Sequence, residues 1–151
     1  MIKIICLGKI KEKYIQEAIQ DYTKRLSKYT KLEIIELKDE NDQIPKQALQ
    51  KEYEQIKKHI TEKDNLILLD PKGKTYTSEE LANIINKELT YNSNITFLIG
   101  SSNGFDKKLK DQINKKISFS TLTFPHGLFR IILLEQLYRS FKILNNETYH
   151  K

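Results

Sequence analysis

The stretch Leu66-Ile67-Leu68-Leu69, followed directly by Asp70-Pro71-Lys72-Gly73, decides the fold class. Four consecutive apolar residues predict a strand that is covered on both faces, because a strand with one exposed face alternates apolar and polar residues. Strands of this kind are typical of parallel sheets between two layers of helices. We therefore predict an α/β domain with a mainly parallel sheet, and we expect this strand to stop at the polar turn 70–73.

The rest of the chain repeats the alternation of strand and helix. Helical spacing of apolar residues predicts four helices between the strands and a last helix over 128–144, after an irregular segment at 121–127. Pro45 suits the first turn of the second helix, and Thr77 and Glu80 have the spacing of a capping box at the start of the third. The further strands are predicted at 2–7, 32–37, 95–99 and near 117–120. Together they indicate one α/β domain over residues 1–151 with helices on both faces of its sheet.

Three loops follow strands late in the chain, at 70–73, 100–104 and 121–127. Ligands of open α/β sheets bind beyond the carboxyl ends of the strands, so these loops form the candidate site. In the second loop, Gly100 and Gly104 allow close approach of the backbone, and the small residues between them leave room for an adenosine. The loop lacks the patterns of dinucleotide-binding and triphosphate-binding loops. A tight turn without a ligand is the alternative interpretation.

The segment 118–127 alternates hydroxyl and apolar residues and ends in Pro125-His126-Gly127. This pattern predicts a stiff loop whose backbone amides face a pocket while its large side chains anchor it. Phe119, Leu122 and Phe124 are equally compatible with a plain core. His126 is a candidate base, with a hydrogen-bonded structural histidine as the alternative.

The final helix and the tail hold the remaining candidates. Glu135 and Arg139 share a helix face, where a simple ion pair is the alternative to a functional role. Tyr149 belongs to a terminal tail that either frays or folds over a site, where its ring could stack on a base.

Composition and charge limit the function classes. The net charge is +6, and residues 91–151 hold nine Lys or Arg against four Asp or Glu, which suits either an RNA partner or a merely solvated surface. No apolar run is long enough to cross a bilayer, so we expect no membrane partner. The single cysteine, Cys6, excludes an internal disulfide, and the residues at the amino terminus lead us to expect no export. We expect a cytoplasmic protein.

Five motifs along the chain are specific in combination: Leu68-Leu69-Asp70-x-x-Gly73-Lys74, Phe97-x-Ile99-Gly100-x-Ser102-x-Gly104, Ser120-x-x-Thr123-Phe124-Pro125-His126, Leu134-Glu135-Gln136-x-Tyr138-Arg139 and Tyr149-His150-Lys151. Taken together, they resemble the RlmH family, bacterial SPOUT-class enzymes that methylate N3 of a pseudouridine in 23S ribosomal RNA. The resemblance runs the length of the chain. Ser101 departs from the family pattern, which has a second glycine there.

The resemblance implies a SPOUT (α/β knot) fold with a C-terminal trefoil knot, a homodimer, and S-adenosylmethionine held by backbone groups of three loops, with no metal. The substrate it implies is a 23S rRNA stem-loop, in the assembled ribosome. By position, the cofactor-binding residues would be Leu69, Gly100, Phe119, Ser120, Thr121, Leu122, Thr123 and Phe124.

Four residues are candidates for the chemistry that the resemblance implies. His126 or His150 would accept the N3 proton, Arg139 would stabilise the anion or bind phosphate, and Tyr149 would stack on the flipped base. The tail of one subunit would reach the cofactor pocket of the other. Two rival hypotheses are a catalytically silent ribosome-associated RNA-binding protein, suggested by Ser101, and a small-molecule nucleotide-binding enzyme, disfavoured by the missing phosphate motifs.

Overall fold

A computed structural model describes residues 1–151, in which five strands alternate with five helices. The elements are β1 (Ile2–Leu7), α1 (Lys13–Leu26), β2 (Leu32–Leu37), α2 (Pro45–Lys57), β3 (Leu66–Thr75), α3 (Ser78–Asn92), β4 (Ile95–Ile99), α4 (Lys107–Gln112), β5 (Lys116–Ser118) and α5 (His126–Leu144). The strands form one sheet in the order β2-β1-β4-β3-β5, and all neighbouring pairs are parallel. This confirms the predicted α/β class with a parallel sheet. None of the helices has the length and apolar character that a membrane span needs.

The two faces of the sheet have separate cores. On one face, Ile67 and Leu69 of β3 pack with side chains of α1, α3 and α5. On the other, Leu68 packs with side chains of α2 and α4. Because successive strand residues point to opposite faces, a strand buried on both sides must be apolar at every position. The continuous apolar run is explained by this arrangement, and the prediction of helices on both faces is confirmed.

The predicted end of β3 at residue 70 is wrong. The strand continues to Thr75, and its pairing with β5 shifts register between Leu69 and Lys74. Gly73 permits this continuation, since a Cβ there would lie 2.7 Å from the backbone carbonyl carbon of Lys116. Residues 70–73 therefore lie in a bulge between two stretches of β3 that pair with β5, and local turn signals do not reveal this pairing.

Two further boundaries differ from the predictions. β5 ends at Ser118 and not near residue 120, because Ser118 Oγ donates to the carbonyl of Ser120 (3.0 Å) and Ser120 Oγ accepts from the Leu122 amide (3.0 Å). These two bonds turn the chain away from the sheet. α5 begins at His126 and not at Leu128, since the carbonyl of Pro125 accepts the first helical bond, from Phe129 (3.0 Å).

The predicted helix starts at Pro45 and at the capping box are confirmed. Pro45 opens α2. At the start of α3, the Thr77 amide donates to Glu80 Oε2 (2.8 Å), and the Glu80 amide donates to Thr77 Oγ1 (3.2 Å). The trefoil knot that the resemblance implies stays a prediction.

A buried arginine joins the last helix to the first two strands. Arg130 of α5 is only 3% exposed. Its guanidinium donates to the carbonyls of Gly8 (2.5 Å) and Leu7 (3.3 Å) and pairs with Glu36 Oε2 (2.5 Å). Gly8 has a φ of +93°, a conformation that favours glycine. The contacts fix the amino-terminal part of α5 at the carboxyl edge of the sheet.

We expect Arg130→Leu to lower the free energy of unfolding by about 3 kcal/mol, because it leaves the Glu36 carboxylate without its counter-ion and two strand-end carbonyls without the Arg130 donor. Urea denaturation followed by circular dichroism measures the change. Arg25→Leu is the matched control, since Arg25 forms an exposed pair with Asp21 (2.8 Å) and its loss should change little. Equal losses in the two variants would show that the buried contacts of Arg130 contribute nothing.

Candidate functional site

A cavity of about 580 Å³ opens at the carboxyl edge of the sheet. Its volume lies within the range of small-molecule sites. Three segments line it, around 69–71, 99–105 and 117–126, with Lys110 of α4 and Phe129 of α5 completing the wall. These segments follow β4 and β5 or lie at the bulge of β3. The parallel strands therefore bring three chain segments, distant in sequence, to one cavity, as expected from the strand order.

The structure brings most of the predicted cofactor residues together. Leu69 and Gly100 line the cavity from two of its sides, and Phe119, Ser120, Leu122, Thr123 and Phe124 line it from the third. Thr121 is exposed and does not line the cavity. That these residues bind a cofactor stays a prediction.

The glycine loop is both a tight turn and part of the cavity wall. The Gly104 amide donates to the Ser101 carbonyl (2.9 Å), and Gly104 has a φ of +81°. A Cβ at Gly100 would lie 2.6 Å from the Gly104 carbonyl oxygen. The loop can close this tightly only because position 100 has no side chain.

Aromatic packing holds the segment between β5 and α5. The rings of Phe119 and Phe124 both pack on Phe129, with centroids 5.6 Å and 6.2 Å from it. Leu122, in contrast, is 68% exposed, which excludes a core role for it. The two phenylalanines therefore anchor the loop on α5, as the sequence predicts for its large side chains, and leave the backbone between them at the cavity.

The cavity has few ionisable side chains. Lys110 Nζ lies 3.6 Å from Asp70 Oδ2, and both residues line the cavity together with His126. The only histidine ring hydrogen-bonded to other side chains is that of His150, so the ring of His126 has no such structural partner. A mainly apolar lining with an acidic group, a basic group and free backbone groups suits a nucleoside with a small charged extension better than a polyphosphate.

A second group of candidates forms the C-terminal cluster, made of Glu79, Glu135, Arg139, Tyr149 and His150. Arg139 Nε and Nη2 donate to Glu135 Oε1 at 3.0 Å and 2.5 Å, and the Tyr149 hydroxyl donates to the same oxygen at 3.1 Å. The guanidinium carbon lies 4.8 Å from the centre of the Tyr149 ring. The expected Glu135–Arg139 ion pair is present, and the tail folds onto α5 and does not fray.

The cluster sets the protonation of its members. Burial, with the nearby Glu135 charge, raises the pKa of Tyr149 to about 12. The hydrogen bond to Glu135 raises the pKa of Arg139, so the guanidinium stays charged. His150 Nδ1 lies 3.2 Å from Arg139 Nη1, which can only donate, and His150 Nε2 lies 2.7 Å from Glu79 Oε1. These partners assign the imidazole proton to Nε2, which leaves Nδ1 as an acceptor.

The four predicted catalytic residues thus occupy two places. His126 lines the cavity, whereas Arg139, Tyr149 and His150 lie in the C-terminal cluster and contribute nothing to the cavity wall of their own chain. Glu79 was missed, because its local pattern indicates only the first turn of a capped helix. No signal in the sequence could pair it with residue 150, 71 positions away.

Comparisons with known proteins agree with the fold. A family model described as "Predicted SPOUT methyltransferase" matches residues 1–150. The chain is 51% identical over 157 residues to ribosomal RNA large subunit methyltransferase H of Clostridium botulinum strain Hall, with 99% of both chains covered. It is 46% identical over 154 residues to the protein of the same name from Caldicellulosiruptor saccharolyticus, with 100% of both covered. The fold and its match to the model define a SPOUT methyltransferase. Within that class, the chain belongs to the family of ribosomal RNA large subunit methyltransferase H.

We expect Gly100→Ala to destabilise the protein by about 2 kcal/mol, because the added Cβ meets backbone and not a movable side chain. Urea denaturation compares it with Ser102→Ala, a change at an exposed position of the same loop that should have little effect. If the two variants are equally stable, the loop is not packed as tightly as described.

Proposed function

We propose that this chain uses S-adenosylmethionine to methylate N3 of a pseudouridine in a 23S rRNA stem-loop of the large ribosomal subunit. The proposed enzyme is a cytoplasmic homodimer acting on assembled ribosomes. The observation that carries the proposal is the single cavity lined by Leu69, Gly100 and Phe124 at the carboxyl edge of the sheet. Family membership supports it, since the relatives are named as methyltransferases of large-subunit rRNA.

The residues of the cavity fit the proposed cofactor. Its volume of about 580 Å³ accommodates a nucleoside joined to an amino acid, and apolar walls from Leu69, Ile99 and Phe124 suit an adenine ring. Asp70 offers a negative charge to a cationic ligand, and Lys110 offers a positive charge to a carboxylate. When bound, S-adenosylmethionine supplies a methyl group already activated on a sulfonium. The protein's part is then to position the acceptor and to exclude water.

The acceptor nitrogen carries a proton at neutral pH, so removal of that proton needs a base or a stabilising cation. His126 stands at the cavity with no side-chain partner, whereas Nδ1 of His150 accepts from Arg139 in the C-terminal cluster and would have to lose that bond before it could take the proton. Arg139, held charged by Glu135, would stabilise the pseudouridine anion or bind a phosphate. Tyr149 would stack on the base that is turned out of the RNA stem.

A homodimer would join the two halves of the proposed site. In one chain the C-terminal cluster does not reach the cavity wall, so a complete site needs the tail of a second copy. Leu122 and Leu128, 68% and 42% exposed, lie on the cavity loop and the first turn of α5. Exposed apolar side chains beside the cavity suit a surface that another copy covers.

The alternative of a catalytically silent RNA-binding protein rested on Ser101, whose side chain was expected to narrow the pocket. In the structure the Ser101 hydroxyl donates to Glu52 Oε2 (2.8 Å), and the cavity has a volume of about 580 Å³ with this side chain in place. The enzyme hypothesis therefore has the stronger support.

Methyl transfer tests the proposal directly. We expect the purified protein with tritiated S-adenosylmethionine to label ribosomes that lack the native methyl group, at one methyl per large subunit. Nuclease digestion and mass spectrometry would identify the modified nucleoside. The matched control is ribosomes that already carry the mark, which should take up no label. Absence of label on both ribosomes and free rRNA would refute the catalytic claim.

We expect Arg139→Ala and Tyr149→Ala to lower kcat by about a hundredfold, because they remove groups that act on the acceptor. Calorimetry should show nearly unchanged binding of S-adenosylmethionine, since neither residue lines the cavity. Lys13→Ala, at a side chain 89% exposed on α1, is the control and should keep full turnover. Parallel loss of cofactor binding and turnover would contradict the roles assigned to Arg139 and Tyr149.

A further inference from the structure

A buried carboxylate lies behind the glycine loop. Glu52 of α2 is only 1% exposed, and no Lys or Arg pairs with it. Its two oxygens accept one hydrogen bond each: Oε1 from the Glu40 amide (3.0 Å) and Oε2 from the Ser101 hydroxyl (2.8 Å). A buried charge without a counter-ion is costly unless hydrogen bonds compensate it. Of its neighbours on the buried side of α2, Ala48 and Ile56 are apolar, and Tyr53 donates its hydroxyl to Gln112 Oε1 (3.3 Å).

The two partners of Glu52 belong to different segments at the carboxyl edge of the sheet. Glu40 follows β2, and this segment is also held by Gln55 of α2, which donates to the Lys38 carbonyl (3.1 Å) and to Glu40 Oε1 (3.1 Å). Ser101 follows β4 directly after Gly100. Glu52 therefore connects the cavity's glycine loop to a segment that α2 holds by three hydrogen bonds.

We propose that Glu52 is a positioning residue that, through Ser101, holds the glycine loop in the conformation that receives the cofactor. This inference rests on the proposed function, because it assigns the bond to cofactor affinity. Gly100 is joined to Ser101 by one peptide bond, so fixing the Ser101 side chain limits the directions of the backbone groups at the cavity. A hydroxyl at position 101 is then a support for the loop and not an obstruction of the pocket.

The expected signature is a change in binding without a change in chemistry. Glu52 and the Ser101 hydroxyl act on the wall that receives the cofactor, and neither bond involves His126 or the C-terminal cluster. Removing the bond should therefore raise the Kd and KM for S-adenosylmethionine and leave kcat nearly unchanged.

Four variants and one control separate positioning from general stability. We expect Ser101→Ala and Glu52→Ala to raise the Kd for S-adenosylmethionine about tenfold, the size expected for a hydrogen bond to a charged group. Glu52→Gln should stay close to the wild type, since its amide oxygen can accept from Glu40 and its NH₂ can donate to Ser101 Oγ. Ser101→Gly should resemble Ser101→Ala. Thr96→Val is the control, because it removes a buried hydroxyl at the opposite end of β4 and should leave the Kd unchanged.

Hydrogen exchange of the amides of residues 100–104, measured without ligand, provides a readout independent of the proposed function. We expect faster exchange there in Ser101→Ala and Glu52→Ala, and wild-type exchange in Thr96→Val. Unchanged exchange and unchanged Kd in Ser101→Ala would overturn the inference, as would an equal Kd increase in Thr96→Val. A loss in Glu52→Gln as large as in Glu52→Ala would also overturn it.

The same measurements distinguish failure of the proposed function from failure of the role inferred for Glu52. If the wild-type protein binds no S-adenosylmethionine at millimolar concentration, the proposed function fails. The exchange data then decide alone whether Glu52 holds the loop. Should Glu52→Ala fail to fold, Ser101→Ala still provides both measurements, because it leaves the helix α2 unaltered.

Discussion

The ion pair between Arg130 and Glu36, with the strand-end carbonyls that Arg130 also binds, is the contact on which the site depends. It fastens the last helix to the ends of the first two strands. α5 starts only four residues before Arg130, so this contact also determines where the segment from 119 to 125 must end. Phe119 and Phe124 then pack on Phe129, next to Arg130, and the loop closes one side of the cavity. Arg130 therefore joins the ends of two strands that are distant in sequence to the loop that closes the cavity.

The meeting of three loops at one edge of the sheet could be predicted from short stretches of sequence. Apolar runs at 66–69 and 95–99 indicate buried parallel strands, and parallel strands place their following loops at one edge. The loops 70–73, 100–104 and 121–127 could be expected to meet on that basis alone, and Asp70, Gly100 and Phe124 do line one cavity. The capping box at Thr77 and the start of α2 at Pro45 were predictable for the same reason, because the determining residues are neighbours in the chain.

The features that could not be predicted depend on contacts between distant residues. β3 continues past residue 70 because β5, more than 40 residues later, pairs with it and Gly73 leaves room for that approach. The buried partners of Arg130 and Glu52 lie on other elements, and a charged residue within an amphipathic helix pattern is ordinarily assigned to the solvated face. Tyr149 and His150 likewise dock through Glu135 and Glu79. The sequence could not show that Thr121, unlike its loop neighbours, does not line the cavity, because the amino-acid composition of a loop does not determine which of its residues face a pocket.

The helix α5 carries His126 as its first residue and Arg139 thirteen residues later. At the rise of an α-helix these two positions are about 20 Å apart, and a straight helix cannot bring them together. In the proposed homodimer, each copy would therefore present its cavity near one end of α5 and its C-terminal cluster near the other. With two-fold symmetry, the cavity of each copy would meet the cluster of its partner, which would give two equivalent composite centres. A mixed pair, with one copy altered at the cavity and the other in the tail, would retain one intact centre, whereas neither altered copy paired with itself would have any.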